Sequence, residues 1–280
     1  MSKKINTVVD DVYKTIDKGL DSLKEEHLNL FLKDMSEAVH KQLLNKDRNR
    51  GTYLRVSNLG HPSRKLWYDL HNTKGEELQP STRIKFLYGD IIEALVLFLV
   101  RLSGHDVTDE QKEVNIDGIK GHMDCKIDGV VTDVKSAAAF SFLKFCNGSL
   151  LEDDPFGYVA QISGYAGHEG QDEAAFLAID KESGELALMK LNDMDLIDPY
   201  EKVSEMKKVV ALDTPPERCY SPVDDGKSGN KKLAKGCNYC SYKETCWSHT
   251  NDGQGLRVFS YSTGPRYLTE VVRVPDVVEM

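Results

Sequence analysis

Two things are scarce in this sequence: excess positive charge and long hydrophobic runs. Lys and Arg total 36 against 45 Asp and Glu, a net charge of −9. That balance weighs mildly against a polyanionic partner, although phosphate contact needs only a local stripe of cations. No apolar stretch approaches the roughly 20 residues that span a bilayer. The longest, residues 91–100, is interrupted by Glu93. The start, Met1-Ser2-Lys3-Lys4, leads into polar amphipathic sequence and not a signal-peptide pattern, so a cytoplasmic location is expected (host cytoplasm if the protein is viral). Internal repeats and low-complexity tracts are also missing. At 280 residues the chain can bury a full core, as one large domain or a domain with appendages.

Periodicity predicts amphipathic helices over residues 5–50, ending near Asn49-Arg50-Gly51, then helices over 57–70 and 81–102. Strands are expected at 113–119, 123–127 and 130–135, separated by Gly-containing turns. Helices at 136–145 and 156–168 follow, then a hairpin of strands 175–180 and 185–191, then a helix over 193–212. After Pro215-Pro216 the composition shifts to Gly, Lys, Cys and Asn. The expected organisation is an N-terminal helical extension (1–50), a core (51–213) and a cysteine-bearing segment with tail (214–280). In the tail, residues 271–278 alternate enough for an edge strand, with Pro275 limiting its pairing.

The chemistry concentrates in residues 121–136. Gly121-His122-Met123-Asp124 ends one expected strand, Asp128-Gly129 turns, and Asp133-Val134-Lys135 lies in the next. Alternation along a strand puts Asp133 and Lys135 on one face. Two carboxylates and an ammonium converging there would be costly in a core. They make sense if a hard divalent cation sits between the carboxylates and the lysine faces a water beside it. That is the chemistry of metal-dependent phosphodiester hydrolysis. Glu93, inside its apolar helix, is either a solvated helix position or an acid awaiting a metal. Gln161 and Tyr165 stand one helical turn apart on one face, which also fits a packed tyrosine on a half-exposed helix.

Together these residues resemble the RecB-type branch of the PD-(D/E)XK nuclease superfamily, over residues 55–246. Its Gly-x-x-x-His/Glu helix, Gly-x-x-Asp strand end, Asp/Glu-x-Lys strand and Gln-x-x-x-Tyr helix match Gly89 to Glu93, Gly121 to Asp124, Asp133 to Lys135 and Gln161 to Tyr165, in that order. Glu93 stands where many members have His, as in phage-type exonucleases. The resemblance implies a restriction-endonuclease-like α/β core, with a mixed sheet flanked by helices. It further implies an Mg²⁺- or Mn²⁺-dependent deoxyribonuclease. Glu93, Asp124 and Asp133 would be ligands, joined by the Val134 carbonyl. Lys135 would orient water and stabilise developing charge, and Gln161 and Tyr165 would position the strand or support the ligands. Exonuclease action on DNA, in phage DNA degradation, recombination or genome processing, is the leading expectation. An endonuclease of the same fold, or a non-catalytic DNA-binding or scaffold protein on it, is the alternative.

Six cysteines are present. Cys125 and Cys146 read as buried small hydrophobes. Cys219, Cys237, Cys240 and Cys246 cluster, which in a cytosolic protein favours metal over disulfide. AddB-type helicase-nucleases and CRISPR-associated adaptation nucleases carry a similar cluster after the core. Their fourth cysteine sits near the N-terminus, at the start of a helix resembled here by residues 59–68, which contain none. Cys219 or His61 would replace it, around a 4Fe-4S cluster or Zn²⁺. Lys227, Lys231, Lys232, Lys235 and Lys243 form either a solvated loop or a DNA-phosphate track. Tyr239, Tyr242 and Trp247 either stack on bases or pack around the cluster, packing being the simpler reading.

Overall fold

In the computed structural model, residues 3–19, 23–44, 53–71, 73, 75–77 and 79–280 are described. In chain order the elements are α1 (Val8–Lys18), α2 (Glu25–Val39), α3 (Ser63–Leu70), α4 (Pro80–Leu102), β1 (Val107–Thr108), β2 (Glu113–Ile116), β3 (Ile119–His122), β4 (Cys125–Ile127) and β5 (Val130–Ala137). There follow α5 (Ala139–Asn147), α6 (Tyr158–His168), β6 (Ala174–Asp180), β7 (Leu186–Leu191) and α7 (Pro199–Val210). The chain then forms β8 (Val223–Asp224), β9 (Lys231–Lys232), single helical turns at Lys235–Asn238 and Lys243–Cys246, β10 (Arg257–Tyr261) and β11 (Gly264–Glu270). The expected end of the N-terminal helices near Asn49-Arg50-Gly51 lies outside the described residues.

The chain divides into two units, one of Met1–Gly60 with Leu78–Glu205, the other of His61–Glu77 with Met206–Met280. The first is a mixed α/β unit. Its five-stranded sheet runs β1-β4-β5-β6-β7, with β5 and β6 parallel and the other pairs antiparallel. Val130-Val131-Thr132 supplies the β-branched run that favours a central strand, and Asp133 pairs with Phe176 and Lys135 with Ala178 across to β6. The Asp128-Gly129 turn, both residues at positive φ, closes the β4–β5 hairpin in the mirror-turn geometry that matches strand twist. Pro80 opens α4, where its missing N–H costs nothing, and Val96, Leu97 and Val100 bury its inner stripe. These side chains pack with Ile5, Val8 and Val12 from the N-terminal end and with Ile127, Val134 and Leu177 from the sheet. Cys125 belongs to this core, as expected, whereas Cys146 is exposed on the outer side of α5.

Three further expectations change. The strand anticipated over 113–119 is a separate two-stranded hairpin, β2–β3, folded at Asp117-Gly118, both at positive φ. The helix expected from residue 193 starts at Pro199, because Asp198 Oδ1 caps it by accepting the N–H of Tyr200 at 2.8 Å. The tail forms no strand over residues 271–278; β11 ends at Glu270 and only Glu279 bridges back to Phe259. The region after residue 214 forms a sheet and a small core of its own. Its sheet runs β10-β11-β9-β8 and covers a small core of Leu233, Trp247 and Leu256.

Residues 61–77 complete that second unit. Trp67 Nε1 donates to the Leu212 carbonyl at 2.8 Å, and Tyr242 Oη donates to Asp69 at 2.7 Å. The Glu76 N–H reaches the Ser241 carbonyl at 2.8 Å. No helix among the described residues is long and apolar enough to cross a membrane.

Candidate active site

The site is built where β4 stops pairing with β5. The β4–β5 ladder ends at Cys125 and Thr132, and the Asp124 side chain continues it, its Oδ2 accepting the Val134 N–H at 3.0 Å. Asp133, on the central strand, is 1% exposed. Its Oδ2 ion-pairs with Lys135, while its buried Oδ1 has no hydrogen-bond partner. A solvent-reaching Asp133 would follow from strand alternation at a sheet surface; instead the residue sits beneath the surface, with Lys135 above it. Lys135 Nζ lies 4.7 Å from the centre of the Tyr158 ring, a cation–π contact that fixes the ammonium.

Electrostatics tie Glu93 and Asp124 to this pair. Burial, then the negative charge of Asp133, pushes the half-buried Glu93 up to about 7. Burial, Asp133 and Glu93 together hold the Asp124 carboxyl well above the usual range. Burial by itself would depress Lys135, but Asp133 and Asp124 outweigh it and raise the ammonium. Glu93 Oε1 also accepts the Gln111 amide at 3.3 Å. Three carboxylates thus feel one another's charge around a single lysine.

Gln161 and Tyr165 do meet. Gln161 Nε2 donates to Tyr165 Oη at 3.0 Å, and burial followed by the Asp133 charge raises the phenol. Tyr165 is buried against β3, where a Cβ on Gly121 would stand 2.6 Å from the Val56 side chain and 3.4 Å from the Tyr165 ring. Glycine at 121 is therefore what lets the hairpin pass over α6. Sequence reading missed Tyr158 and Gln111. Tyr158 had a signal, since 158, 161 and 165 share one helical face; Gln111 had none.

Among the described residues no group of three or more His, Cys, Asp or Glu converges tightly enough to hold a metal ion. The donor chemistry nonetheless fits a hard cation, because the set offers only oxygens and Asp133 Oδ1 is buried without a partner. In the second unit, burial and then Cys240, Cys246 and Cys219 push the Cys237 thiol up to about 11. Cys237 thus senses the other three thiols, and sulfur donors of this kind suit a soft or borderline metal. Cys237 and Cys246 also pack on the small core beside Trp247, while Cys219 is exposed. Burial, then Lys65, lowers His61 to about 4.

The lysine run is largely neutralised. Lys231 pairs with Asp224 at 2.5 Å, Lys232 with Asp225 at 3.4 Å, and the buried Lys243 with Glu76. Trp247 and Tyr242 are buried, as packing residues would be, and Tyr239 is 74% exposed.

No protein-family model matches the chain, and no curated protein is similar to it. Among solved structures, SSO0001 shares 16% identity over 78% of this chain and 95% of its own, with a TM-score of 0.40. An alkaline exonuclease from Laribacter hongkongensis shares 13% identity over 63% and 89%, TM-score 0.38. A phage-related exonuclease from Haemophilus somnus 129PT shares 15% over 56% and 90%, TM-score 0.38.

Proposed function

We propose that the chain is a metal-dependent DNA nuclease, acting as an exonuclease, with Glu93, Asp124, Asp133, Lys135, Gln161 and Tyr165 as its working residues. The observation that carries this reading is the buried, half-unpartnered Asp133 beside Lys135, with Asp124 and Glu93 protonated more readily than ordinary carboxylates. Such crowding of like charge destabilises a fold unless a ligand relieves it. Asp124, Asp133, Glu93 and the Val134 carbonyl would hold Mg²⁺ or Mn²⁺. Bound there, the cation would lower the pKa of a water and neutralise charge on the scissile phosphate.

The residues of the chain divide the remaining work. Lys135, fixed by Asp133 and Tyr158, presents its ammonium to the attacking water and to charge developing on the phosphate. Gln161 holds the Tyr165 hydroxyl within the field of Asp133 and Asp124, and the pair would position the strand or support the ligands. The Asp124 bond to the Val134 N–H keeps that carboxylate aligned with the end of β4. At Cys219, Cys237, Cys240 and Cys246 a 4Fe-4S cluster, or Zn²⁺, would add stability to the second unit. The ordered four-motif match supports a phage-type role in DNA degradation, recombination or genome processing, in the cytoplasm.

The test is cleavage of end-labelled linear DNA and closed circular DNA by the purified protein, with Mg²⁺ and with EDTA. Mg²⁺-dependent loss of label from the linear substrate, with the circle intact, is the expected result. Cutting of the circle would make it an endonuclease, and no cutting of either would make it a binding protein.

A further inference from the structure

The second unit contains a cavity of about 420 Å³ lined by Arg64, Glu217, Arg218, Tyr220, Ser221 and Trp247, together with Pro222. Its chemistry differs from that of the lysine run beside it in sequence. Lys231, Lys232 and Lys243 have their charges met by carboxylates. Among the described residues, neither Arg64 nor Arg218 has a carboxylate within ion-pair distance. Arg64 donates from Nη1 to the Pro216 carbonyl, and its buried Nε has no partner. Arg218 donates from both Nε and Nη2 to the Cys246 carbonyl at 3.2 Å and from Nη2 to His249, which leaves Nη1 for a ligand, and its guanidinium lies 4.1 Å from the centre of the Trp247 ring. The stack holds the plane of Arg218 fixed, so less side-chain entropy is lost when it binds.

Two guanidiniums on one cavity wall, each keeping one terminal nitrogen for a ligand, outweigh the single carboxylate of Glu217 there and favour phosphate oxygens. Tyr220 also lines the cavity and supplies aromatic surface for a base, while one face of the Arg218 plane is taken by Trp247. The volume is in the range that encloses a small ligand. We propose that this cavity binds a nucleotide unit of single-stranded DNA, its phosphate on Arg64 and Arg218 and its base against Tyr220. The choice of DNA as polymer rests on the nuclease reading; the phosphate-and-base chemistry does not.

Trp247 provides the reporter. Trp67 and Trp247 are the only tryptophans, so Trp67→Phe leaves emission from the cavity alone. The full-length protein is titrated, in buffer without added divalent metal, with an oligothymidylate of about eight nucleotides, with thymidine monophosphate, and with inorganic phosphate. Saturable quenching by the oligonucleotide is expected, with much weaker responses to the other two. Arg218→Gln should weaken oligonucleotide binding about tenfold, the usual scale for a lost charged hydrogen bond. It should also flatten the dependence of log K on log salt by roughly 0.7, one phosphate contact's worth.

Ser221 is exposed at the cavity, so Ser221→Asp should give a similar loss without touching the fold, and it decides the matter if Arg218→Gln does not fold. Unchanged affinity in Ser221→Asp would overturn the assignment. So would equal binding of monophosphate and oligonucleotide, or a response to phosphate alone. Cleavage with Mg²⁺ is scored separately, so a protein that binds and does not cut refutes the nuclease reading and leaves this one standing.

Discussion

Replacing Glu93 with Gln separates a metal ligand from an ordinary helix position, because it removes charge while keeping shape. Glu93 in the folded chain holds its proton up to about 7, against 4.5 ordinarily. The folded state therefore binds an extra proton between those values, and stability falls as pH rises from 4.5 through 7, then levels off. The full shift of about 2.5 units at 1.36 kcal/mol each would be roughly 3.4 kcal/mol. Glu93 is only half-buried, so solvent screening reduces this to about 1–2 kcal/mol. Relief of Asp124, whose carboxyl Glu93 helps to raise, acts in the same direction.

Without added divalent cation at about pH 8, Glu93→Gln should therefore melt about 2–4 °C above wild type, and near pH 4.5 the two should coincide. Adding Mg²⁺ should reverse the order, stabilising wild type and leaving the variant largely unmoved. Thermal unfolding followed by circular dichroism at both pH values, with and without Mg²⁺, measures all four states. Equal melting temperatures throughout, with cleavage within about threefold of wild type (roughly 0.65 kcal/mol in barrier), would refute the reasoning.

Other expected outcomes follow from the same geometry. Lys135→Ala should lower cleavage by at least about 10²-fold while Mg²⁺ affinity, read by calorimetry, stays near wild type. Gly121→Ala places a methyl against Val56 and Tyr165 and should cost about 1–3 kcal/mol in urea denaturation, with a weaker Gln161–Tyr165 pair as the consequence. Cys237→Ser should abolish stoichiometric iron or zinc, measured by metal analysis and by absorbance near about 400 nm after anaerobic purification, whereas Cys125→Ser and Cys146→Ser should not. Finding neither metal in wild type, with every thiol outside the core freely titratable, would end the cluster proposal.

What was legible in the sequence was whatever depends on short spacing. Asp133 and Lys135 lie two apart on a strand and form an ion pair; Gln161 and Tyr165 lie one turn apart and hydrogen-bond. Glu93 stood out because an acid in so apolar a run needs an explanation, and the structure sets it within the field of Asp133. The β2–β3 hairpin had a local signature that the strand expected over 113–119 ran across, since Asp117-Gly118 is a strong two-residue turn signal. Other features had no local signature. Strands β8 and β9 are two residues each, too short for any periodicity, yet their register is what sets Lys231 and Lys232 against Asp224 and Asp225. That α3 belongs with the cysteine segment depends on contacts such as Trp67 to Leu212, far apart in the chain. The burial of Asp133 was not legible either, because alternation names a face and not its cover.

The central claim is that Asp133 organises a hydrolytic metal site, and Asp133→Asn tests it most directly. The change keeps the shape of a side chain that is 1% exposed and removes the charge that Lys135, Asp124 and Glu93 all sense. The measurement is Mg²⁺-dependent release of label from end-labelled linear DNA by purified, folded protein. The account predicts that Asp133→Asn releases none above the EDTA control; release near the wild-type rate would contradict it.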